Sequence, residues 1–317
     1  MIWIIAGILI LAVVFYFAHK LSLGFIGREE PVENPLPNPN DDWYEYMQDY
    51  YASKKHMADA PHEDLEILSE DGLRLRGRLY RIKPDNHKVV IGFHGYRGSA
   101  EADIGRFMKM YEHAGYDCLA ISERAHNDSE GKYVTFGVRE SKDGILWVKE
   151  ILRLYGNDVI LLIHGVSMGG ATVLMMSGNP SLPSQVKAVI SDCAYDTLTK
   201  EAGSALTQYS PFMQKIVLGI LNINAKIFAG YSLKDASPVE AIKNAKIPCL
   251  FVHGDLDNFV PRPMMDILYN AYPADKDTFT VKNAVHACAF SKDPEGYEKK
   301  FMSFLEQHKL LSSTGSM

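Results

Sequence analysis

An α/β fold with a mostly parallel central sheet flanked by helices is predicted from three features of the chain. Short apolar runs recur at Val89–Phe93, Cys118–Ile121, Val159–Ile163, Val186–Ile190 and Pro248–Val252, each fit for a strand buried on both faces. Helical patterns lie between most of them, at Ala100–His113, Arg139–Leu154 and Ala171–Gly178. A polar His-Gly pair follows three of the runs, at His94-Gly95, His164-Gly165 and His253-Gly254. Polar loops therefore gather at the carboxyl edge of the sheet, where ligands of such folds bind.

Taken in order, the chain opens on an apolar segment. Residues 2–18 hold no charged side chain and reach the lower end of the ~17–25 residues that span a hydrocarbon core. Trp3 and Tyr16 suit the two interfaces. A basic leader and an Ala-x-Ala cleavage site, the marks of a secretory signal, are both missing. The reading is a transmembrane helix over residues 1–20 that tethers the protein to a membrane. Lys20 and Arg28 follow the span, which places the bulk of the chain on the cytoplasmic side. Residues 21–40, Pro/Asn-rich from Pro31 to Asn40, read as an extended linker. The catalytic domain is then expected over 41–317, opening on a helix at Asp41–Ala60 with Trp43, Tyr46, Met47 and Tyr50 on one face.

Leu65–Leu68 and Leu73–Tyr80 flank Asp71-Gly72, a hairpin signal, so the sheet should open with antiparallel strands. After Asp192 the alternation breaks. Residues 197–238 lack a strand pattern but carry amphipathic helix, including Phe212–Leu221, and suit a small helical lid inserted at a strand's carboxyl end. A last strand-like run is Thr278–Val281, and the carboxyl-terminal residues from Ser312 read as a frayed end.

The 317 residues are 47% hydrophobic and 23% charged, an ordinary globular balance that excludes a disordered or disulfide-dense protein. Lys+Arg number 33 against Asp+Glu 39, so no nucleic-acid partner is implied. Cys118, Cys193, Cys249 and Cys288 share no ligand spacing, which argues for buried hydrophobes and against a zinc site. No cofactor is implied either.

Gly165-Val166-Ser167-Met168-Gly169-Gly170 joins a strand to a helix. A turn this sharp needs small residues on both sides of the serine and lifts its hydroxyl above the sheet at a helix amino terminus. Serine needs a base, and His286 follows the last strand at the same edge. A carboxylate would fix the imidazole tautomer; Asp257 is the choice, Asp255 is read as a turn former, and Asp192 is the third possibility. The tetrahedral oxyanion requires two backbone donors, assigned to the amides of Met168 and Tyr96.

These residues make the chain resemble the α/β-hydrolase superfamily, and within it a bacterial membrane-anchored branch of serine aminopeptidase-like or cinnamoyl-ester-hydrolase-like proteins. The resemblance covers about Leu65 to Leu310 and rests on His94-Gly95, the Ser167 turn, His253-Gly254-x-x-Asp257-x-x-Val260-Pro261 and Ala284-x-His286. It implies an α/β-hydrolase fold and a Ser–His–Asp triad at Ser167, His286 and Asp257. Relatives usually read Asp-x-Arg-Gly-His-Gly where this chain reads Ser122-Glu123-Arg124-Ala125-His126-Asn127, with Ala125 and Asn127 in place of glycine. His126 is then expected to be structural.

The function expected is that of a cofactor-free serine hydrolase acting on small-molecule acyl esters. A thioesterase would use the same residues. An aminopeptidase-like serine peptidase would need an acid for the substrate amine, for which Asp196, Glu201, Asp235 and Glu240 are available. A non-catalytic membrane-tethered binding protein is the reading from a different class. Lid residues such as Leu206, Phe212 and Leu221 either face an acyl group or pack on the core. The oligomeric state is not legible.

Overall fold

The computed structural model describes residues 15–29 and 43–311. Within them, eight strands form one sheet of order β1-β2-β4-β3-β5-β6-β7-β8. Strands β1 (Glu63–Leu68) and β2 (Arg74–Tyr80) form the expected antiparallel hairpin. Its turn closes at Gly72, whose φ of 83° suits a residue without a Cβ. β2 pairs antiparallel with β4 (Asp117–Ile121); from there β3 (Lys88–Phe93), β5 (Ile160–Val166), β6 (Val186–Asp192), β7 (Cys249–Gly254) and β8 (Lys276–Val281) are parallel. β5 and β7 run on through His164 and His253, so those two histidines are fully buried strand residues rather than loop residues.

Helices α1 (residues 15–26) and α2 (Met47–Asp59) precede the sheet. α3 (Met108–Ala114), α4 (Glu140–Tyr155) and α5 (Met168–Ser177) link its first half. α6 (Leu198–Ser204), α7 (Pro211–Asn224) and α8 (Pro238–Ala241) lie between β6 and β7. α9 (Pro263–Ala271), α10 (Ala289–Lys292) and α11 (Pro294–Gln307) complete the chain. Alternate residues of each strand point to opposite faces. Val89, Ile91 and Phe93 of β3 accordingly join a core with Trp147 and Val148 of α4 and Val173 and Leu174 of α5. Val90 joins a second core with Met110 and Tyr111 of α3 and Phe301 and Phe304 of α11.

β3 has β4 on one side and β5 on the other. The chain leaves β3 toward β4 and then returns to build outward from β5, which makes the carboxyl ends of β3 and β5 a topological switch point. The loop after β3 begins at His94, and the turn after β5 holds Ser167.

The expected anchor over residues 1–20 lies largely outside the described residues. Of the stretch expected as linker, Pro31–Asn40 also lies outside them, but residues 21–29 are described, and they pack on the domain. Ile26 is fully buried, Phe25 stacks on Phe136 at 4.8 Å between ring centroids, and the Arg28 guanidinium donates to the Ser129 carbonyl at 2.6 Å. These residues carry the apolar groups that a spacer would not need. Among the described residues, the helix long and apolar enough to cross a membrane is instead Pro211–Ala229, in the inserted segment. That segment divides its apolar residues: Ile220 and Leu221 are buried, whereas Phe212 is 72% exposed.

Candidate active site

Ser167 stands between β5 and α5 with φ 56° and ψ −113°, a strained conformation for a residue with a Cβ. The strain is held by close packing. A Cβ on Gly165 would meet the Gly169 carbonyl oxygen at 2.1 Å, and one on Gly169 would meet the Phe93 carbonyl oxygen at 2.2 Å. The Ser167 amide donates to the Asp192 carbonyl at 2.8 Å, pinning the turn to β6. These contacts are the physical reason for the small residues around the serine.

His286 lies 119 positions further along the chain, yet its Nε2 is 2.8 Å from the Ser167 Oγ. Its Nδ1 is 2.7 Å from Asp257 Oδ2. The rings of Phe259 and Trp43 flank the imidazole at 4.9 and 6.3 Å between centroids. Asp257 is buried and uses both oxygens. Oδ1 accepts from the amides of Phe259 at 3.0 Å and Val260 at 2.8 Å, while Oδ2 also lies 3.2 Å from His253 Nε2. Burial works to raise the Asp257 pKa, but the hydrogen bonds from His253 and His286 prevail and hold it at about 2. The carboxylate therefore stays ionised beside the imidazole at any pH above that.

The competing aspartates have other partners. Asp255 Oδ1 accepts from the Asn283 amide at 2.6 Å and so braces the His286 loop, rather than only its own turn. Asp192 Oδ2 accepts from the Tyr297 hydroxyl at 3.2 Å.

Tyr96 and Met168 face the same space from the ends of β3 and β5. Met168 opens α5, so its amide has no helical carbonyl to bond. The loop carrying Tyr96 is braced by His94 and His126 and by Asp103, which pattern reading did not identify. Asp103 is buried and its Oδ2 accepts from the Gly95 amide at 2.8 Å. His94 Nε2 accepts from the Glu123 amide at 3.0 Å, and its Nδ1 sits 2.7 Å from the Gly95 carbonyl. His126 Nε2 accepts from the Arg97 amide at 3.1 Å, with Nδ1 2.9 Å from the Arg124 carbonyl. In each ring one nitrogen accepts and the other faces a carbonyl, so each imidazole is neutral with a defined tautomer. Burial pushes His94 down to about 4 and His126 to about 3, which keeps them neutral. His126 is thus a structural brace, as expected. Ala125 and Asn127 take φ of 60° and 42°, so the turn survives without glycine.

The Tyr96 side chain is not a loose surface aromatic. Its hydroxyl donates to the Phe25 carbonyl at 2.6 Å, and its ring packs against Phe25 and Phe136. Arg97 donates to the Gly24 carbonyl at 2.8 Å and pairs with Glu29 at 2.6 Å. Residues 24–29 are therefore fastened to the loop after β3.

Two cavities meet at Ser167. One, of about 600 Å³, is bounded by Trp43, Met47, Tyr50, Phe259 and His286. Of the four residues expected on one face, Trp43, Met47 and Tyr50 line this cavity, whereas Tyr46 is buried away from its lining. The other, of about 520 Å³, is bounded by Phe25, Phe136, Met168, Tyr195, Glu201 and Ala205. Both are mostly apolar, the usual character of small-molecule sites. Cys193 also lies within ligand distance of Asp257 and His286, and burial raises its pKa well above the usual thiol range. All four cysteines are unpaired and buried.

Comparison with known proteins agrees with this architecture. A family model described as the alpha/beta hydrolase fold matches residues 88–236. The uncharacterized protein YqkD of Bacillus subtilis is 24% identical over 299 residues, covering 94% of this chain and 93% of YqkD. The Pyrococcus furiosus esterase Pf2001 superposes with a TM-score of 0.66 at 20% identity, covering 89% of this chain and 98% of the esterase. Est1E of Butyrivibrio proteoclasticus, solved with ferulic acid bound, has a TM-score of 0.59 at 19% identity and covers 77% of this chain and 99% of its own. With the serine turn at the switch point and the family match across β3 to β6, the chain has the α/β-hydrolase fold.

Proposed function

We propose that this hydrolase cleaves carboxylic esters through an acyl-enzyme on Ser167. The observation that carries the reading is the hydrogen-bonded series from Ser167 Oγ through His286 to Asp257, at the junction of two apolar cavities. His286 Nε2 takes the hydroxyl proton as Oγ adds to the ester carbonyl, and the ionised Asp257 stabilises the imidazolium. The amides of Tyr96 and Met168 receive the oxyanion. The tetrahedral adduct collapses with expulsion of the alcohol, which leaves with the proton from His286. Water then adds to the acyl-enzyme with His286 as base, releasing the acid and free Ser167. Because His286 must protonate the leaving oxygen, the cavity beside His286 takes the alcohol and the cavity beside Met168 takes the acyl group.

The test uses the full chain in detergent with p-nitrophenyl esters of increasing acyl length, a matched thioester and an aminoacyl anilide. Esters should turn over fastest, a fluorophosphonate should label Ser167, and Ser167→Ala should abolish both. Turnover that survives Ser167→Ala, or a faster thioester or anilide, would overturn the assignment.

We further propose that the enzyme works at a membrane, through residues 1–20, with the domain on the cytoplasmic side. Support comes from the uncharged run 2–18 and from Phe15, Tyr16, Phe17 and Leu21, each more than half exposed where the described chain begins. On the neighbouring inserted segment, Phe212, Ile223 and Ile227 also face outward. Release of the intact protein from membrane fractions by salt alone would contradict this, as would protection of the domain from protease added to inverted vesicles.

A further inference from the structure

The acyl-side cavity holds one group out of keeping with its apolar wall. Glu201, on α6, is 8% exposed and borders the cavity that contains Ser167 and Met168. Its Oε2 has no hydrogen-bond partner and, among the described residues, no cation forms an ion pair with it. The other acids of the inserted segment are accounted for. Asp196 pairs with Lys200, Asp235 Oδ2 accepts from the Ser232 amide at 2.7 Å, and Glu240 pairs with Lys243 at 2.6 Å. Leaving a buried carboxyl oxygen unpaired is unfavourable, and such an atom in a binding cavity marks the position of a missing ligand group.

We propose that Glu201 is a specificity-determining residue that hydrogen-bonds a hydroxyl on the acyl chain of the ester, so that hydroxyacyl esters are preferred over plain ones. The inference rests on the reading of Ser167 as the nucleophile and of this cavity as the acyl side. Three features favour a neutral hydroxyl over an ammonium. The surrounding wall, with Phe25, Phe136, Tyr195 and Ala205, would make burial of two full charges costly. Lys20 stands on the same cavity and would repel a second cation. Burial, reinforced by the charges of Asp257 and Asp196, pushes Glu201 up to about 8, so near neutral pH it is a carboxylic acid with both a donor and an acceptor to offer a hydroxyl.

The experiment compares p-nitrophenyl octanoate with octanoates hydroxylated at successive carbons, using the full chain in detergent as wild type, Glu201→Gln and Glu201→Leu. One hydroxy isomer should exceed the plain ester in kcat/KM by about tenfold or more. Glu201→Gln should keep most of that preference, since the amide still donates and accepts. Glu201→Leu should reverse it, slowing that isomer and speeding the plain ester, with a melting temperature showing that it remains folded. Equal turnover of plain and hydroxylated esters by the wild type would overturn the proposal, as would a preference untouched in Glu201→Leu. A preference for an aminoacyl ester that Glu201→Gln abolishes would overturn it in favour of an ammonium ligand. If the wild type hydrolyses none of these esters, the Ser167 reading itself fails and this inference falls with it, a result distinct from equal turnover.

Discussion

Replacing Asp257 by asparagine changes almost nothing in shape and should nevertheless remove nearly all activity. The carboxylate is an acceptor at both oxygens: Oδ1 for the amides of Phe259 and Val260, Oδ2 for His286 and His253. Asparagine has one acceptor oxygen. Placing that oxygen at the Oδ1 position satisfies the two amides and turns the NH2 toward His286 Nδ1. The imidazole must then accept at Nδ1 and carry its proton on Nε2, where it can no longer receive one from Ser167. A wrong tautomer of this kind lowers kcat by about 10⁴-fold, or about 5.5 kcal/mol of transition-state stabilisation. The stability change is smaller and has a defined pH dependence. The folded-state pKa of Asp257 lies below its ordinary 3.8, at about 2, so its carboxylate contributes on the order of 2 kcal/mol above pH 3.8. That contribution is lost as pH falls through about 2. Urea midpoints of wild type and Asp257→Asn should therefore differ at pH 6 and converge toward pH 2. The assay is kcat/KM on one p-nitrophenyl ester, beside a urea melt at each pH. An Asp257→Asn enzyme within tenfold of wild type would refute the assigned role of the carboxylate.

Other regions of the molecule give sharper stability tests. Arg124 is buried between Asp143, at 2.6 Å, and Asp71, at 3.0 Å; Arg124→Ala leaves the buried Asp143 uncompensated and should cost about 3–5 kcal/mol in urea unfolding, whereas a loss below 1 kcal/mol would show that the pair contributes nothing. Ala125 sits at φ 60°, so Ala125→Gly should raise stability by about 0.5–1 kcal/mol, read as a higher urea midpoint; a lower midpoint would mean that its buried methyl group outweighs the backbone strain. A chain beginning at Asp41 lacks Ile26 and Phe25 and leaves Tyr96 and Arg97 without their partners. It should be less stable than a chain beginning at Phe15 by about 2–5 kcal/mol, melt at a lower temperature and lose ester turnover in parallel; equal melting temperatures would refute a structural role for residues 15–29.

Sequence reading located the described strands to within a few residues: β3 to β7 are buried on both faces and read as continuous apolar runs, whereas β1 and β2 were marked by the hairpin signal between them. The serine turn was legible for a related reason: its glycines are imposed by carbonyl oxygens that would lie only 2.1–2.2 Å from any Cβ placed there. The choice of His286 and Asp257 was readable only from their position after particular strands, since nothing local separates Asp257 from Asp255. The fold separates them by direction, one carboxylate toward the imidazole and the other toward the Asn283 amide. Asp103, His253 and the selection of Glu201 among the inserted acids depend on contacts between distant segments, and a single sequence has no pattern for those. Likewise residues 21–29, polar enough at Arg28 and Glu29 to pass for a spacer, are ordered by a receiving surface that exists only after folding. Local periodicity and backbone sterics, which act over a few neighbouring residues, thus determined the strands and the serine turn. Which acid faces the imidazole, which cavity holds a lone carboxyl and what the amino-terminal helix rests on were decided by the tertiary structure, because the sheet order β4-β3-β5-β6-β7 brings the ends of β3, β5 and β7 and the inserted helices around one point.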